Sequence, residues 1–270
     1  MRYKSLVLAL IVSLLLVSLL ASSGVGTRAV AGRQYRPANL TDVPVLVYHK
    51  VDTLYHALSM TPQEFDEQMS YLYENGYHTI TPDQLMAYIK YGKDLPEKPV
   101  LITFDDGYLD NYTNAYFIMK KYGFTGTIFL VTSLVGQDSR FMNWEQAREM
   151  QQGGFVFGSH TVDHQPLTKL TPEEALAELV DSSEIIEQEL GVKPCYFAYP
   201  TGAYNQQLEQ LVRQAGYKAA FTIRFGQAGL ESDPLAIERI PVFKSSQSFR
   251  SFYYRLTAAP LLERLGIIRN

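Results

Sequence analysis

Short apolar segments that alternate with longer amphipathic ones constrain the fold of this chain most strongly. Each apolar segment is too short for a helix, and a stretch with helical periodicity follows it. Strands buried on both faces have this near-continuous apolar character, and regular alternation with helices is typical of a parallel sheet. Strands are predicted at 43–48, 100–104, 126–131, 155–159, 196–199, 219–223 and 239–242.

A repeated Thr-Pro pattern marks three of the helix starts. It occurs at Thr61, Thr81 and Thr171, where Thr is a favourable N-cap and Pro fits the first helical position. Seven or eight strand–helix units in a chain of this length predict a (β/α) barrel. No G-x-G-x-x-G or P-loop follows a strand, which argues against a nucleotide-binding fold. Helices are predicted at 61–75, 81–91, 111–122, 143–152, 172–190 and 205–215.

The N-terminus predicts export. Arg2 and Lys4 precede an almost wholly apolar run, and small residues that include Ala29 and Ala31 follow it. This order is typical of a secretory signal peptide, and an uncleaved membrane anchor is the alternative. We therefore expect a signal peptide or anchor at 1–31, a linker at 32–42 and one domain at 43–270. The protein is expected to be secreted or extracytoplasmic, with membrane contact only through the N-terminal segment.

Composition excludes several classes of protein. Cys195 is the only cysteine, so neither an intrachain disulfide nor a cysteine-based zinc site is available. The net charge is -4, and phosphate binding needs clustered Lys and Arg, so no nucleic-acid partner is expected. Hydrophobic residues make up 46% of the chain, which is enough for a sizeable core.

Two carboxylates follow the strand predicted at 100–104. Asp105 and Asp106 stand directly before Gly107. Like charges side by side repel and raise one pKa, and a bound cation would relieve that repulsion. Because Asp-Gly is also a common turn dipeptide, a purely structural turn is the alternative.

Two histidines follow the strand predicted at 155–159. His160 and His164 are separated by three residues, and imidazole is a common zinc ligand. Thr161 replaces the Glu of the zinc-protease helix pattern, and Pro166 would break a helix, so the pair is predicted to lie in a loop. A structural role for each histidine is the alternative.

The strand-end residues together favour metal-assisted hydrolysis. Catalytic groups of a (β/α) barrel lie where strands end and loops begin. One Asp and two His leave positions on a divalent metal open for water and substrate, and the second Asp is free to act as a base. The metal is expected to be zinc, although the same ligands accept cobalt or nickel.

Two motifs carry a resemblance to a known family. Thr-Phe-Asp-Asp-Gly at 103–107 and Ser-His-Thr-Val-Asp-His at 159–164 closely resemble the first two motifs of the polysaccharide deacetylases, the NodB-homology or carbohydrate esterase 4 family. The motifs are specific in this order, and the resemblance extends over about 43–242. It implies a distorted (β/α) barrel with seven or eight strands and an enzyme that hydrolyses N-acetyl groups of a polysaccharide.

The resemblance also implies a role for each motif residue. Asp105 resembles the catalytic base of the family. Asp106, His160 and His164 resemble its metal ligands, which implies a bound divalent metal.

The segment at 197–202 stands where the third motif of the family belongs. By this resemblance Tyr199 and Pro200 are expected to contact the substrate. The backbone N–H of Thr201 is expected to stabilise the oxyanion, a role that tolerates a change of side chain.

Two departures from the common family pattern concern the base and the acid. Ala198 stands where the third motif usually has an Arg that orients the base, and Arg239 is a candidate replacement. No His follows His164, so the usual late acid is missing, and His49 is the candidate general acid. This combination resembles the branch that deacetylates poly-N-acetylglucosamine.

Several alternatives stay open on the sequence. Poly-N-acetylglucosamine, peptidoglycan and chitin-like chains all present the same N-acetyl group. A glycosidase that uses Asp105 and Asp106 is disfavoured because adjacent strand residues point to opposite faces. A catalytically inactive glycan-binding protein on the same fold is the remaining alternative.

Overall fold

The computed structural model describes residues 42–54, 57–242 and 249–264. The strands of this part of the chain are short, and most of them are fully buried. They are β1 (Val45–Tyr48), β2 (Lys50–Val51), β3 (Ser59–Met60), β4 (His78–Thr79), β5 (Pro99–Phe104), β6 (Thr127–Leu130), β7 (Val156–Ser159), β8 (Tyr196–Ala198), β9 (Ala219–Phe225) and β10 (Ile237–Pro241).

Helices follow most of these strands. They are α1 (Pro62–Glu74), α2 (Pro82–Tyr91), α3 (Phe117–Lys121), α4 (Trp144–Gln152), α5 (Pro172–Leu190), α6 (Gln206–Gln214), α7 (Phe249–Tyr253) and α8 (Ala259–Arg264). Short 3₁₀ turns lie at Leu167–Lys169 and Pro200–Gly202. Segments of π-helix lie at Asn111–Tyr116 and Tyr254–Ala258.

A closed parallel sheet forms the centre of the molecule. Among the described strands the order around the ring is β1, β10, β9, β8, β7, β6 and β5, and β5 pairs again with β1. All of these pairings are parallel. The short β4 adds an eighth strand beside the start of β5, and β2 pairs with β3 separately. The predicted distorted (β/α) barrel with seven or eight strands is therefore confirmed.

Alternate strand residues face two different apolar clusters, as the two-residue period of a strand requires. Leu46, Ile102 and Ile128 belong to a cluster that includes residues of α1 and α4. Their neighbours belong to a second cluster with residues from six strands of the ring, which therefore lies inside the barrel. That set is Val45, Leu101, Phe129, Ala198, Phe221 and Ile237.

Local sequence explains the main helix starts. Thr61, Thr81 and Thr171 each cap a helix in a complete capping box, as the Thr-Pro pattern predicts. The helix predicted at 111–122 is instead π-helical over its first half. The short strands β2, β3 and β4 and the helices α7 and α8 are not predicted from sequence, because such short elements depend on tertiary packing.

The predicted signal peptide or anchor at 1–31 lies outside the described residues, as does all but the last residue of the linker predicted at 32–42. The boundaries of the predicted domain at 43–270 stay a prediction. In the described ranges no helix has the length and apolar character that a membrane span needs.

Candidate active site

The sequence-predicted residues follow several strands of the barrel at the same end. His49 follows β1, Asp105 and Asp106 follow β5, His160 follows β7, and Thr201 follows β8 by a short turn. Since all ring strands are parallel, their carboxyl ends meet at one face of the barrel. This arrangement turns residues that are distant in sequence into neighbours.

Asp106, His160 and His164 form a compact group of ligating atoms. Asp106 Oδ1 lies 3.5 Å from His160 Nε2 and 3.3 Å from His164 Nε2. The three ligating atoms all lie within 4.8 Å of one another. One carboxylate and two imidazoles are the ligand types that divalent zinc accepts.

The Asp106 carboxylate is the group in this cluster whose negative charge lacks a compensating partner among the described residues. Burial raises the pKa of its carboxyl to about 6, and the neighbouring charge of Asp105 acts in the same direction. Its Oδ1 atom is buried and has no hydrogen-bond partner among the residues that the structure describes. A buried carboxylate oxygen of this kind is costly unless a cation or donor meets it, so the residues present fit a bound divalent metal.

The two histidines present neutral imidazoles to Asp106. Burial lowers the pKa of His160 to about 3 and lowers that of His164 as well. His160 Nδ1 donates to the carbonyl oxygen of Ala198 at 2.7 Å, which leaves the Nε2 lone pair directed at the site. Metal ligation requires neutral imidazole, and a donor bond from the second ring nitrogen fixes the ring orientation.

Backbone in the left-handed region places two of the three ligands. Asp106 has a φ of 75° and His164 a φ of 60°, a region that costs a residue other than glycine about 1–2 kcal/mol. Gly107 follows at φ 81°, and a Cβ there would lie 2.6 Å from Leu130 Cδ2. Strain of this kind persists where the surroundings enforce it and clusters at functional sites.

Asp105 is held by Arg239 from β10. Arg239 Nη1 donates to Oδ1 at 2.8 Å and Nη2 donates to Oδ2 at 2.7 Å. The guanidinium is 0% exposed, and it also donates from Nε to the Thr222 carbonyl oxygen and from Nη1 to Thr103 Oγ1. Burial alone would raise the pKa of Asp105, but the charge and hydrogen bonds of Arg239 together with the nearby histidines outweigh it, and the pKa falls to about 2. The carboxylate is therefore ionised throughout the neutral range.

This contact meets the need created by Ala198, which replaces the orienting Arg of the third motif. Arg239 supplies a guanidinium to Asp105, the predicted base, from a different strand, and its role in orienting a catalytic base stays a prediction.

His49 lies within electrostatic range of both carboxylates. Its positive charge, when present, favours the ionised forms of Asp105 and Asp106. Its backbone carbonyl accepts a hydrogen bond from Asn111 Nδ2 at 2.7 Å, which ties the turn after β1 to the π-helical segment. The structure thus brings the predicted acid to the predicted base and metal ligands.

Comparison with known proteins identifies the family. The family model described as polysaccharide deacetylase matches residues 92–220. The Bacillus subtilis protein YxkH, which bears the name polysaccharide deacetylase, is 36% identical over 207 residues, with 77% of this chain and 72% of that protein covered. This chain belongs to the polysaccharide deacetylase family. It is an enzyme of the deacetylase type, as the two motifs predict.

Two further proteins are similar to this polysaccharide deacetylase. A poly-beta-1,6-N-acetyl-D-glucosamine N-deacetylase of Staphylococcus epidermidis is 29% identical over 197 residues, which cover 68% of each chain. The structure of the Streptococcus pyogenes deacetylase PplD in complex with acetate matches with a TM-score of 0.76 and 28% identity. That match covers 80% of this chain and 99% of the other.

Tyr199 and Pro200, predicted to contact substrate, are buried in this deacetylase. The Tyr199 hydroxyl donates to the Leu235 carbonyl oxygen at 3.0 Å, and its ring stacks on Tyr204 at 5.2 Å between centroids. Both side chains lie in the core and support the turn that carries Thr201, and the contact of this segment with substrate stays a prediction. Thr201 itself is exposed, with φ 60° and ψ 4°.

Sequence reasoning missed the aromatic pair beside the predicted metal ligands of this deacetylase. Burial and the nearby Asp106 carboxylate raise the pKa of the Tyr108 hydroxyl. The Tyr108 ring stacks on Phe141 with 4.7 Å between the ring centroids. Lys50, on β2, places its Nζ atom 5.0 Å from the centroid of the Tyr108 ring. The position of Tyr108 directly after Gly107 was the available signal, whereas nothing in the sequence pairs it with Phe141.

Proposed function

We propose that this polysaccharide deacetylase removes N-acetyl groups from poly-β-1,6-N-acetylglucosamine with the help of a divalent metal, zinc. The observation that carries the proposal is the Asp106, His160 and His164 group beside the ionised, Arg239-bound Asp105. Metal ligands and an adjacent free carboxylate are the parts that metal-assisted hydrolysis needs.

The ligand set would hold the metal through Asp106 Oδ1 and the Nε2 atoms of His160 and His164. When bound, the metal supplies Lewis-acid chemistry, which activates a water and polarises the amide carbonyl. Cobalt or nickel fits the same ligands. The buried, unpaired Asp106 Oδ1 supports a bound cation most directly.

The residues around the ligands then have separate tasks. Asp105 accepts a proton from water as the water attacks the acetyl carbon, and Arg239 keeps that carboxylate ionised and oriented. The backbone N–H of Thr201 donates to the oxyanion that forms. Protonated His49 donates a proton to the departing amine as the carbon–nitrogen bond breaks, so acetate and a free amino sugar leave.

The substrate assignment is supported by the Staphylococcus epidermidis relative and by the presence of His49 near the N-terminus. Peptidoglycan and chitin-like chains present the same N-acetyl group. An extracytoplasmic location is supported by the charged and apolar N-terminal sequence, and the polysaccharide is the partner that such a location makes accessible.

The alternative of a glycan-binding protein on the same fold without turnover is disfavoured by membership of the deacetylase family. The replacement of the motif-three Arg by Ala198 does not support it, because Arg239 contacts Asp105.

Parallel acetate-release assays test these assignments. The full chain is loaded with zinc and incubated with poly-β-1,6-N-acetylglucosamine, with peptidoglycan and with chitin oligomers, and the Asp105→Asn variant serves as control. We expect zinc-dependent release that is highest on the first glycan and absent in the variant. Higher release from peptidoglycan or chitin would reassign the substrate. Bound zinc without release from any glycan would favour the binding protein.

A further inference from the structure

Helix α5 contacts the loop that carries both predicted histidine ligands. Glu178 lies on this helix, and its Oε2 atom accepts the backbone N–H of Val162 at 2.8 Å and that of Asp163 at 3.1 Å. Both N–H groups lie between His160 and His164 in sequence. One carboxylate oxygen therefore joins the middle of the loop to a rigid helix of 19 residues.

Other contacts fix the start of the same loop. Ser182, one helical turn after Glu178, shares a hydrogen bond with Ser159 Oγ at 2.7 Å, and Ser159 Oγ accepts the Thr161 N–H at 3.1 Å. The loop start is thereby tied to α5, and Glu178 ties its middle to the same helix. The only other bond described at Val162 is from the Ser133 backbone N–H to its carbonyl oxygen, at 3.1 Å.

The loop needs such support because its backbone is strained. Thr161 and His164 have φ values of 72° and 60°, in the left-handed region that residues other than glycine seldom adopt. A negative charge that accepts two consecutive N–H groups stabilises this turn more strongly than neutral acceptors would. Without it, we expect His164, which is only half-buried, to leave the position beside Asp106.

We propose that Glu178 is a positioning residue of the metal site: it holds the His160–His164 loop in the conformation that brings both imidazoles to Asp106. The inference rests on the proposed function, because it assumes that these residues bind a divalent metal. It adds a residue of helix α5, outside the sequence motifs, to the determinants of metal affinity.

Zinc affinity tests this role independently of catalysis. The full chain and its Glu178→Ala and Glu178→Gln variants are titrated with zinc against a chromophoric chelator. Removal of a group that supports metal ligands typically weakens binding 10–100-fold, and we expect Glu178→Ala to weaken zinc binding by about that factor. Glu178→Gln keeps an acceptor oxygen without the charge, so its affinity should lie between those of Glu178→Ala and the parent chain. Glu184→Ala, an exposed position on the same helix, should bind zinc like the parent.

Thermal unfolding of the metal-free variants separates positioning from general stability. Zinc binding by Glu178→Ala at the parent affinity, with or without a lower unfolding temperature, would overturn the inference and leave the proposed function intact. Weaker zinc binding, with activity recovered at high zinc, is the expected result. If the parent chain bound no zinc, both the metal-dependent function and this inference would be wrong.

Discussion

Arg239 and Asp105 form a bidentate ion pair inside the barrel, with N···O distances of 2.8 and 2.7 Å. The guanidinium is 0% exposed and the carboxylate 2% exposed. Partner charges in such a buried site interact strongly, and loss of one partner leaves the other uncompensated. The pair therefore fixes both the orientation and the ionised state of the proposed base, although Arg239 belongs to no motif.

Replacement of Arg239 by Lys should separate charge from geometry. Lys keeps a positive charge but cannot bind both carboxylate oxygens in the guanidinium manner. We expect kcat for acetate release to fall at least about 10-fold, since catalysis depends closely on orientation, while KM and zinc content change little. Arg224→Lys, which alters an exposed pair with Glu238, is the matched control. Equal kcat values for Arg239→Lys and the parent would show that Asp105 needs no bidentate partner.

Removal of His49 should affect proton transfer without loss of metal. General acids typically accelerate a reaction about 10²–10⁴-fold. The kcat of His49→Ala should fall by that factor, which corresponds to a rise of roughly 3–5 kcal/mol in the activation barrier. Zinc content, measured by elemental analysis, should stay at the parent level. His78→Ala is the control, because His78 is exposed on β4. A near-parental rate for His49→Ala would refute the acid assignment.

Activity should require a metal, and binding of that metal should require the Asp106 carboxylate. We expect a chelator to stop acetate release by the parent chain and added zinc to restore it. In Asp106→Asn the neutral amide is a poorer ligand for a divalent cation, and zinc should not restore activity. Zinc should also raise the unfolding temperature of the parent, by linkage, and not that of the variant. Asp94→Asn, an exposed change between α2 and β5, should behave like the parent. Activity of Asp106→Asn at parental zinc concentration would contradict the ligand assignment.

Asp110 should make stability depend on pH. Burial raises the pKa of its carboxyl to about 6, although Val51 N–H donates to Oδ1 at 2.6 Å. Because the folded state binds this proton more tightly than the unfolded chain, its contribution to stability is present at low pH and is lost as pH rises through about 6. Asp110→Asn lacks this titration. Its free energy of unfolding, relative to that of the parent, should therefore rise by about 1 kcal/mol between pH 5 and pH 8.

Urea unfolding of the metal-free proteins at the two pH values measures this difference. The same variant-minus-parent free energy of unfolding at pH 5 and pH 8 would show that Asp110 titrates normally in the folded protein.

The barrel could be predicted because the residues of each strand–helix unit indicate its local structure. Buried strands need continuous apolar runs, and Thr61, Thr81 and Thr171 satisfy the first N–H groups of their helices with side chains close in sequence. The motif at 103–107 and the histidine pair likewise lie at strand ends that the pattern locates. These signals depend only on residues that are close in sequence, so they can be recognised in a single sequence.

Tertiary structure alone decided the contacts between distant segments. Arg239 meets Asp105 across 134 positions, Glu178 on a helix binds the histidine loop, and the Tyr199 hydroxyl donates to the Leu235 carbonyl oxygen in the core. No local propensity encodes such contacts, because they arise when a closed parallel ring brings the carboxyl ends of its strands together. The sequence by itself determined the secondary-structure elements and the types of the predicted metal-binding side chains. Closure of the barrel decided which other side chains orient these residues.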